Sequence, residues 1–371
     1  MTAITCAYAT ARPCYDMIGR PNDDHLQLFL DALAAQTFTD FEVVIADCIY
    51  DRREAVVEDN TYRGKRYPFT IRHVQVHSPW LQHGCWSGQS PWNHALLLAQ
   101  GELFLTFGDC CELPPDYLQR IWLWYLQGYW CMGLVVYKKG GDVYRFDERD
   151  YVQPAPDGDT ENWRQGIRKN LQELHARGIL QGVVKDSRWP LVERSGTLKL
   201  AGRGGHQQYH GYCATPLQAL LAINGFDENI DGSKALGDVW TGIQLHMAGY
   251  DHVLVLDENV WLYENAHQSV PEDVLWYHGP EIRSNYSLMC LNERVGRWRS
   301  NSYRLTAKEV DWIIAHSQDW GFQGIDQKAN PLFQKWLHNP PLFDVKELRW
   351  GVQDVLDDDV IELPKYYVWD E

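Results

Sequence analysis

The feature that most restricts the fold is an alternation of short apolar runs with helix-period segments across the first third of the chain. "AITCAYATARP" and "FEVVIADC" read as buried strands closed by polar loops, and "ELFLTFGD" is a third. Between and after them, "DHLQLFLDALAAQ" carries apolar residues at helical spacing, "SPWNHALLLAQG" starts on Ser and stops on Gly, and "PPDYLQRIWLWYLQG" opens on prolines suited to a helix start. Strands alternating with helices of about ten to fifteen residues imply an α/β fold, a mixed and mainly parallel sheet flanked by helices. Ligands of such sheets sit beyond the carboxyl ends of the strands, so polar residues there are the first candidates for chemistry.

The polar, turn-rich stretch 138–205 reads as an insertion or flap within a domain spanning 1–270, and 271–371 as a mainly helical C-terminal extension with an acidic tail. Hydrophobic content of 45% and charged content of 23% exclude wholesale disorder. The net charge of −16 disfavours a general grip on polyanions. That charge is uneven: the last thirty residues hold nine acids against three bases, whereas 162–210 and 283–304 are locally basic and aromatic. Nine cysteines without a Cys-x-x-Cys pair argue against a disulfide framework and a four-cysteine zinc site. With no signal-like start and no apolar run near 18 residues, the expectation is a soluble cytoplasmic protein without a membrane span. Seventeen Trp and twenty Tyr fill a core and also supply ring faces of the kind that line sites for planar or sugar ligands.

Three carboxylates fall at expected strand ends or loops: Asp47 in "VVIADC", Asp109 in "LTFGDC" and Asp238 in "KALGDVW". Each can accept hydrogen bonds from a nucleotide base or ribose, or bind a hard cation, and each can equally cap a helix or make a turn. Arg203, in the glycine-rich "AGRGGHQQYHG", can meet phosphates or simply face solvent, and that loop does not match a dinucleotide-binding fingerprint. In "FGDCCELPPDYL" no partner cysteines stand at zinc spacing, so Cys110 and Cys111 read as small packing residues between a strand end and a proline-started helix.

Three segments in order carry a resemblance. "AAQTFTDFEVVIADC", "WNHALLLAQGELFLTFGDCCELPPDYL" and "LLAINGFDENIDGSKALGDVWTGIQLHMAGY" resemble the family 2 glycosyltransferases of the GT-A fold over residues 1 to about 270. The resemblance implies an inverting transferase of a hexosyl or pentosyl group from a nucleotide-sugar donor, a UDP-sugar in the first instance, to an acceptor hydroxyl. It places Asp47 on the base or ribose; Arg12 and Asn93 are further candidate donor contacts, and Arg203 is one by its charge. Asp109 and His267 would hold Mn²⁺ or Mg²⁺ on the diphosphate, and Asp238 would be the general base.

Two positions depart from the family. Phe107 replaces the first Asp of the metal turn, and Gly237 replaces the Glu that precedes the base. Both bear on metal dependence more than on the fold. The acceptor is a glycan, a small molecule or a protein on the leading reading. An alternative is a hydroxylated base in DNA, received by the basic and aromatic stretches. A degenerate protein that binds a nucleotide or sugar without turnover is the remaining alternative.

Overall fold

The computed structural model describes residues 2–11, 25–52, 60–83, 85, 87–109, 111–138, 183–185, 188–192, 195–206, 209, 211–233, 236–251, 253–265, 282–320, 322–353, 363 and 369. The first two strands, β1 (Ile4–Thr10) and β2 (Phe41–Asp47), are buried almost throughout, as apolar strands with both faces covered must be. A small hairpin, β3 (Thr61–Tyr62) and β4 (Lys65–Arg66), leads to β5 (Ile71–Gln75), which pairs with β2. The chain then crosses back to place β6 (Leu103–Phe107) on the other side of β1. These four strands are parallel, and β11 (Ala214–Pro216) closes the sheet antiparallel to β6. The expected mixed, mainly parallel sheet flanked by helices is therefore present.

The strand order reverses between β1 and β6, and crevices form where neighbouring connections leave in opposite directions. Register fixes what lines that edge. Thr10 lies opposite Asp47, and Tyr8 opposite Phe107. Asp47 therefore ends β2 beside the carboxyl end of β1, and Asp109 follows two residues past the end of β6 on the other side of β1.

The strand pleat sorts the core into two faces. Cys6, Tyr8, Val43 and Ile45 share one cluster with Leu26, Phe29, Leu30 and Leu33 of α1 (His25–Ala34). Their alternates Ala7, Val44 and Ala46 share another with Ala95 to Leu98 of α3 (Gln89–Leu98), which follows the short α2 (Pro79–Gln82). The Tyr8 ring stacks on Phe29 at 4.4 Å. Each fully buried large apolar side chain contributes about 1.5–3 kcal/mol of transfer free energy.

A second sheet stands beside the first. β7 (Cys111–Glu112) pairs with the end of β12 (Leu254–Asn265), which runs parallel to β8 (Trp130–Lys138) under α4 (Tyr117–Leu126). β9 (Val183–Lys185) and β10 (Thr197–Leu200) complete it. Of the expected insertion over 138–205, residues 139–182 lie outside the described residues. Its described part also holds α5 (Trp189–Val192) and α6 (Gly202–His206), ahead of α7 (Leu217–Ala222) and α8 (Gly237–Met247).

The remaining helices are α9 (Asn285–Arg294), α10 (Ala307–Ser317), α11 (Pro331–His338) and α12 (Val345–Gln353). Leu288 of α9, Ile313 of α10 and Phe333 of α11 form a third cluster with Trp80, Trp240 and Ile243, whereas α12 packs on the main sheet's core. Val345 and Val352 of α12 join the α3 cluster, and Arg349 donates to the carbonyls of Leu96 and Leu97, where the helix end is electronegative. Arg283 is fully buried, with its guanidinium 3.9 Å from the centre of the Trp336 ring.

Candidate active site

One loop, residues 227–233 of the "GFDENIDGS" stretch, ties together the helix starts that face the strand ends. Asp231 is fully buried and accepts from the backbone N–H groups of Gly88, Gln89 and Ser90 and from the Ser87 hydroxyl. It thereby caps α3 from a distance in sequence, satisfying donors that a helix N-terminus leaves open. Burial pushes its carboxyl up to about 6 against those four hydrogen bonds. Asp227 accepts from the Trp240 indole at 2.9 Å and from Tyr303 at 3.1 Å, which anchors α8 to the same loop.

Between these two helix starts and the end of β6 lies a cavity of about 210 Å³. Its walls include Gln89 and Trp92 of α3, Thr106 of β6, Tyr209, Phe226, and Gly237 and Asp238 of α8. That space is open to solvent on one side and has room for a sugar ring. Three aromatic faces and a carboxylate suit a sugar, which is apolar on its C–H faces and polar at its rim.

Asp238 sits in the first turn of α8, where the helix end is electropositive, and its Oδ1 accepts from Val239 N at 2.8 Å. The residue before the helix, Leu236, has φ +69°, a left-handed conformation that costs energy for a side chain bearing Cβ and that aims the first turn at the cavity. Tyr209 is buried, exchanges a hydrogen bond with Thr215 at 2.6 Å, and has its phenol pushed well up by burial, so it stays protonated.

Gln89 explains the missing glutamate at 237. A Cβ built on Gly237 would lie 1.9 Å from Gln89 Nε2 and 2.6 Å from its Cδ, so the glutamine occupies the space a side chain at 237 would need. Gln89 is only 7% exposed, and its Oε1 has no hydrogen-bond partner among the described residues. A buried amide oxygen without a partner costs about 1–3 kcal/mol, and here it borders a cavity where a ligand hydroxyl can satisfy it.

Of the residues expected from the sequence, Asp238 lines the cavity and the other described ones do not. Asn93 is fully buried: both its amide hydrogens go to Phe226 O and Glu228 Oε1, and its oxygen accepts from Phe226 N. It fastens α3 to the loop rather than facing the cavity. Arg203 is exposed and makes a bidentate pair with Glu293 at 2.5 and 2.7 Å, away from the cavity. Asp47 is buried at the end of β2, accepting from Ile49 N at 2.9 Å and bonded to His73 Nε2 at 3.1 Å. Asp109 is half-buried just past β6. Arg12, His267 and Cys110 lie outside the described residues.

Around the Asp109 turn, Glu264 lies opposite Cys111 and accepts from the Tyr212 hydroxyl at 3.2 Å. Burial first, and then the charges of Glu264 and Asp109, push the Cys111 thiol well up, as befits a packing residue rather than a redox group. Asp109 does not gather two further His, Cys, Asp or Glu ligands among the described residues; the group that does is His206, His246 and Asp251, elsewhere. The described residues thus do not fit a complete cation site at Asp109.

In the basic stretch 283–304, considered above for nucleic acid, three of the five arginines are engaged within the fold. Arg283 is stacked under Trp336, Arg297 pairs with Glu309, and Arg299 pairs with Asp344. No helix among the described residues is long and apolar enough to cross a membrane.

No family model matches the chain, and neither does any curated protein. Among solved structures it is similar to S. aureus TarS 1–349 in complex with UDP, at 14% identity over 91% of this chain and 78% of that one, with a TM-score of 0.41. S. aureus TarS 1–349 in complex with UDP-GlcNAc matches at 12% identity over 90% and 78%, with a TM-score of 0.42. The longer S. aureus TarS matches at 14% identity over 91% and 47%, with a TM-score of 0.39. Likeness at this level fixes neither ligand nor chemistry.

Proposed function

We propose that the protein is a glycosyltransferase that moves one sugar from a nucleotide-sugar donor to an acceptor hydroxyl at the Asp238 cavity. The observation that carries this is the pairing of a half-exposed carboxylate, Asp238, with the unsatisfied Gln89 amide oxygen on one aromatic-walled cavity at the strand ends. The sequence resemblance supplies the reaction class, and the cavity's size and lining agree with a sugar ring.

In this reading Trp92, Phe226 and Tyr209 offer ring faces to the sugar, and Gln89 accepts from one of its hydroxyls. The acceptor oxygen attacks the anomeric carbon while Asp238 takes its proton, which requires an approach of about 2.6–3.2 Å. The bond from that carbon to the phosphate oxygen breaks, and the nucleoside diphosphate leaves with the electron pair. One displacement inverts the anomeric centre. The nucleotide would lie outside the cavity, across the carboxyl ends of β1 and β6.

Chemically, a divalent cation would neutralise the leaving diphosphate. Asp109 with His267 remains the proposal for holding it, and none of the steps above runs through it.

The test is transfer from a panel of radiolabelled nucleotide sugars to mixed acceptors, wild type against Asp238→Asn. Loss of a base typically lowers the rate by about 10²–10⁴-fold. Equal turnover by both proteins would remove Asp238 from the chemistry. Donor binding with no turnover by wild type on any acceptor would favour a binding protein.

A further inference from the structure

We propose that His206, His246 and Asp251 form a binding site for a divalent transition metal of the zinc class, separate from the cavity. The backbone builds it. Gly242 lets α8 approach α6 closely: a Cβ there would sit 2.2 Å from His206 O and 2.5 Å from Tyr209 Cβ. This contact lays His206, the last residue of α6 and 2% exposed, against the face of α8 that carries His246 one turn later. The two imidazoles are 5.1 Å apart, centre to centre, with planes tilted by 36°.

The helix end then returns a carboxylate to the same place. Gly249 has φ +86°, its N–H bonds His246 O at 2.9 Å, and Tyr250 N bonds Leu245 O at 3.0 Å. This glycine-terminated reversal carries Asp251 back to His246, where Oδ1 lies 2.7 Å from Nδ1. One ligand atom from each of the three residues lies within 4.8 Å of the other two. Tetrahedral zinc with bonds near 2.0–2.1 Å needs ligand atoms about 3.3 Å apart, a closure that side-chain rotation of the part-exposed His246 and the exposed Asp251 can make.

The charge balance also suits a cation. Arg203, the nearest base on α6, is held bidentately by Glu293, so its charge is compensated beside the site. Two imidazoles and one carboxylate favour zinc, nickel, cobalt or copper over magnesium or calcium, and leave a coordination position for water. The site stands eight residues beyond Asp238 on α8, about 12 Å along the helix axis, so its occupancy can be read without any transfer assay.

The experiment is isothermal titration of the full chain with ZnCl₂, then with MgCl₂, in a non-chelating buffer, on wild type, His246→Ala, Asp251→Asn and Cys290→Ser. Circular dichroism without metal verifies that each variant is folded. Without any nucleotide diphosphate present, wild type should bind one equivalent of Zn²⁺ at this site, and Mg²⁺ should not compete for it. Removing a partner that merely orients a metal ligand costs about 10–100-fold in affinity, so His246→Ala should lose at least about 100-fold, and Asp251→Asn at least about 10-fold. Cys290, on α9 near Arg203, is the neighbouring thiol; Cys290→Ser should bind as wild type, and the visible spectrum of bound Co²⁺ should show no thiolate charge-transfer band. Undiminished Zn²⁺ binding by folded His246→Ala, thiolate ligation, or no one-equivalent binding would overturn the proposal.

Discussion

Gly237→Ala separates ligand binding from folding at the cavity. The added methyl cannot coexist with the present Gln89 side chain, because it would lie 1.9 Å from Nε2. Gln89 is the flexible partner, and its amide oxygen gives up no hydrogen bond when it moves. The backbone at 237 is not left-handed, and replacing glycine in a helix returns about 0.5–1 kcal/mol. The expected change in unfolding free energy is therefore within about 1 kcal/mol of zero, measured by urea denaturation. Binding behaves otherwise. With Oε1 accepting from one sugar hydroxyl and Nε2 donating to a second sugar oxygen, each bond worth about 1 kcal/mol, displacing the Gln89 amide lowers kcat/KM roughly 30-fold. Gln89→Ala alone should lose a similar factor, and the double variant should lose no more than either, a non-additivity of about 2 kcal/mol. Full activity in Gly237→Ala, or losses that multiply in the double variant, would refute the reasoning.

Gly232→Ala tests the loop that holds both helix starts. Its φ of +84° disfavours any Cβ, and that Cβ would sit 2.3 Å from the Trp80 ring, so a loss of about 2–4 kcal/mol is expected in urea denaturation. His94 carries a pH prediction. Its Nε2 accepts from His77 N and its Nδ1 donates to Ser90 O, and burial lowers its pKa to about 4. A histidine held neutral in the fold contributes stability above its unfolded pKa and loses it as pH falls from about 6.5 to about 4. Over that window wild type should lose about 3 kcal/mol more than His94→Asn, and parallel stability curves for the two proteins would contradict the assignment. Arg349→Met removes the donor to Leu96 O and Leu97 O and should cost about 1–3 kcal/mol, read from the denaturation midpoint.

Strand and helix periodicity made the main sheet legible, because β1, β2 and β6 are continuous apolar runs and α1 repeats its buried residues at Leu26, Phe29, Leu30 and Leu33. Asp238 was legible from its motif. Gln89 was not, because its role depends on the space left by Gly237, which is far away in sequence. Tyr209 and Thr106 reach the cavity through loop and strand geometry that no local spacing records. Asn93's place inside the fold was not legible either, because its amide bonds to Phe226 and Glu228 depend on a loop far away in sequence. The His206, His246 and Asp251 group depends on the close approach at Gly242 and the reversal at Gly249, neither of which has a ligand-spacing signature in the sequence.

The most direct measurement is a thermal-shift panel of UDP, GDP, CDP and dTDP, with and without Mn²⁺, on wild type, Asp109→Ala and Asp238→Asn. A ligand that binds only the folded state stabilises it by about 2.7 kcal/mol at 100 times its Kd. The account predicts that one nucleotide, UDP first, raises the midpoint of wild type and of Asp238→Asn, and that Asp109→Ala reduces the shift. No shift with any nucleotide, with or without Mn²⁺, would contradict a donor site at these strand ends.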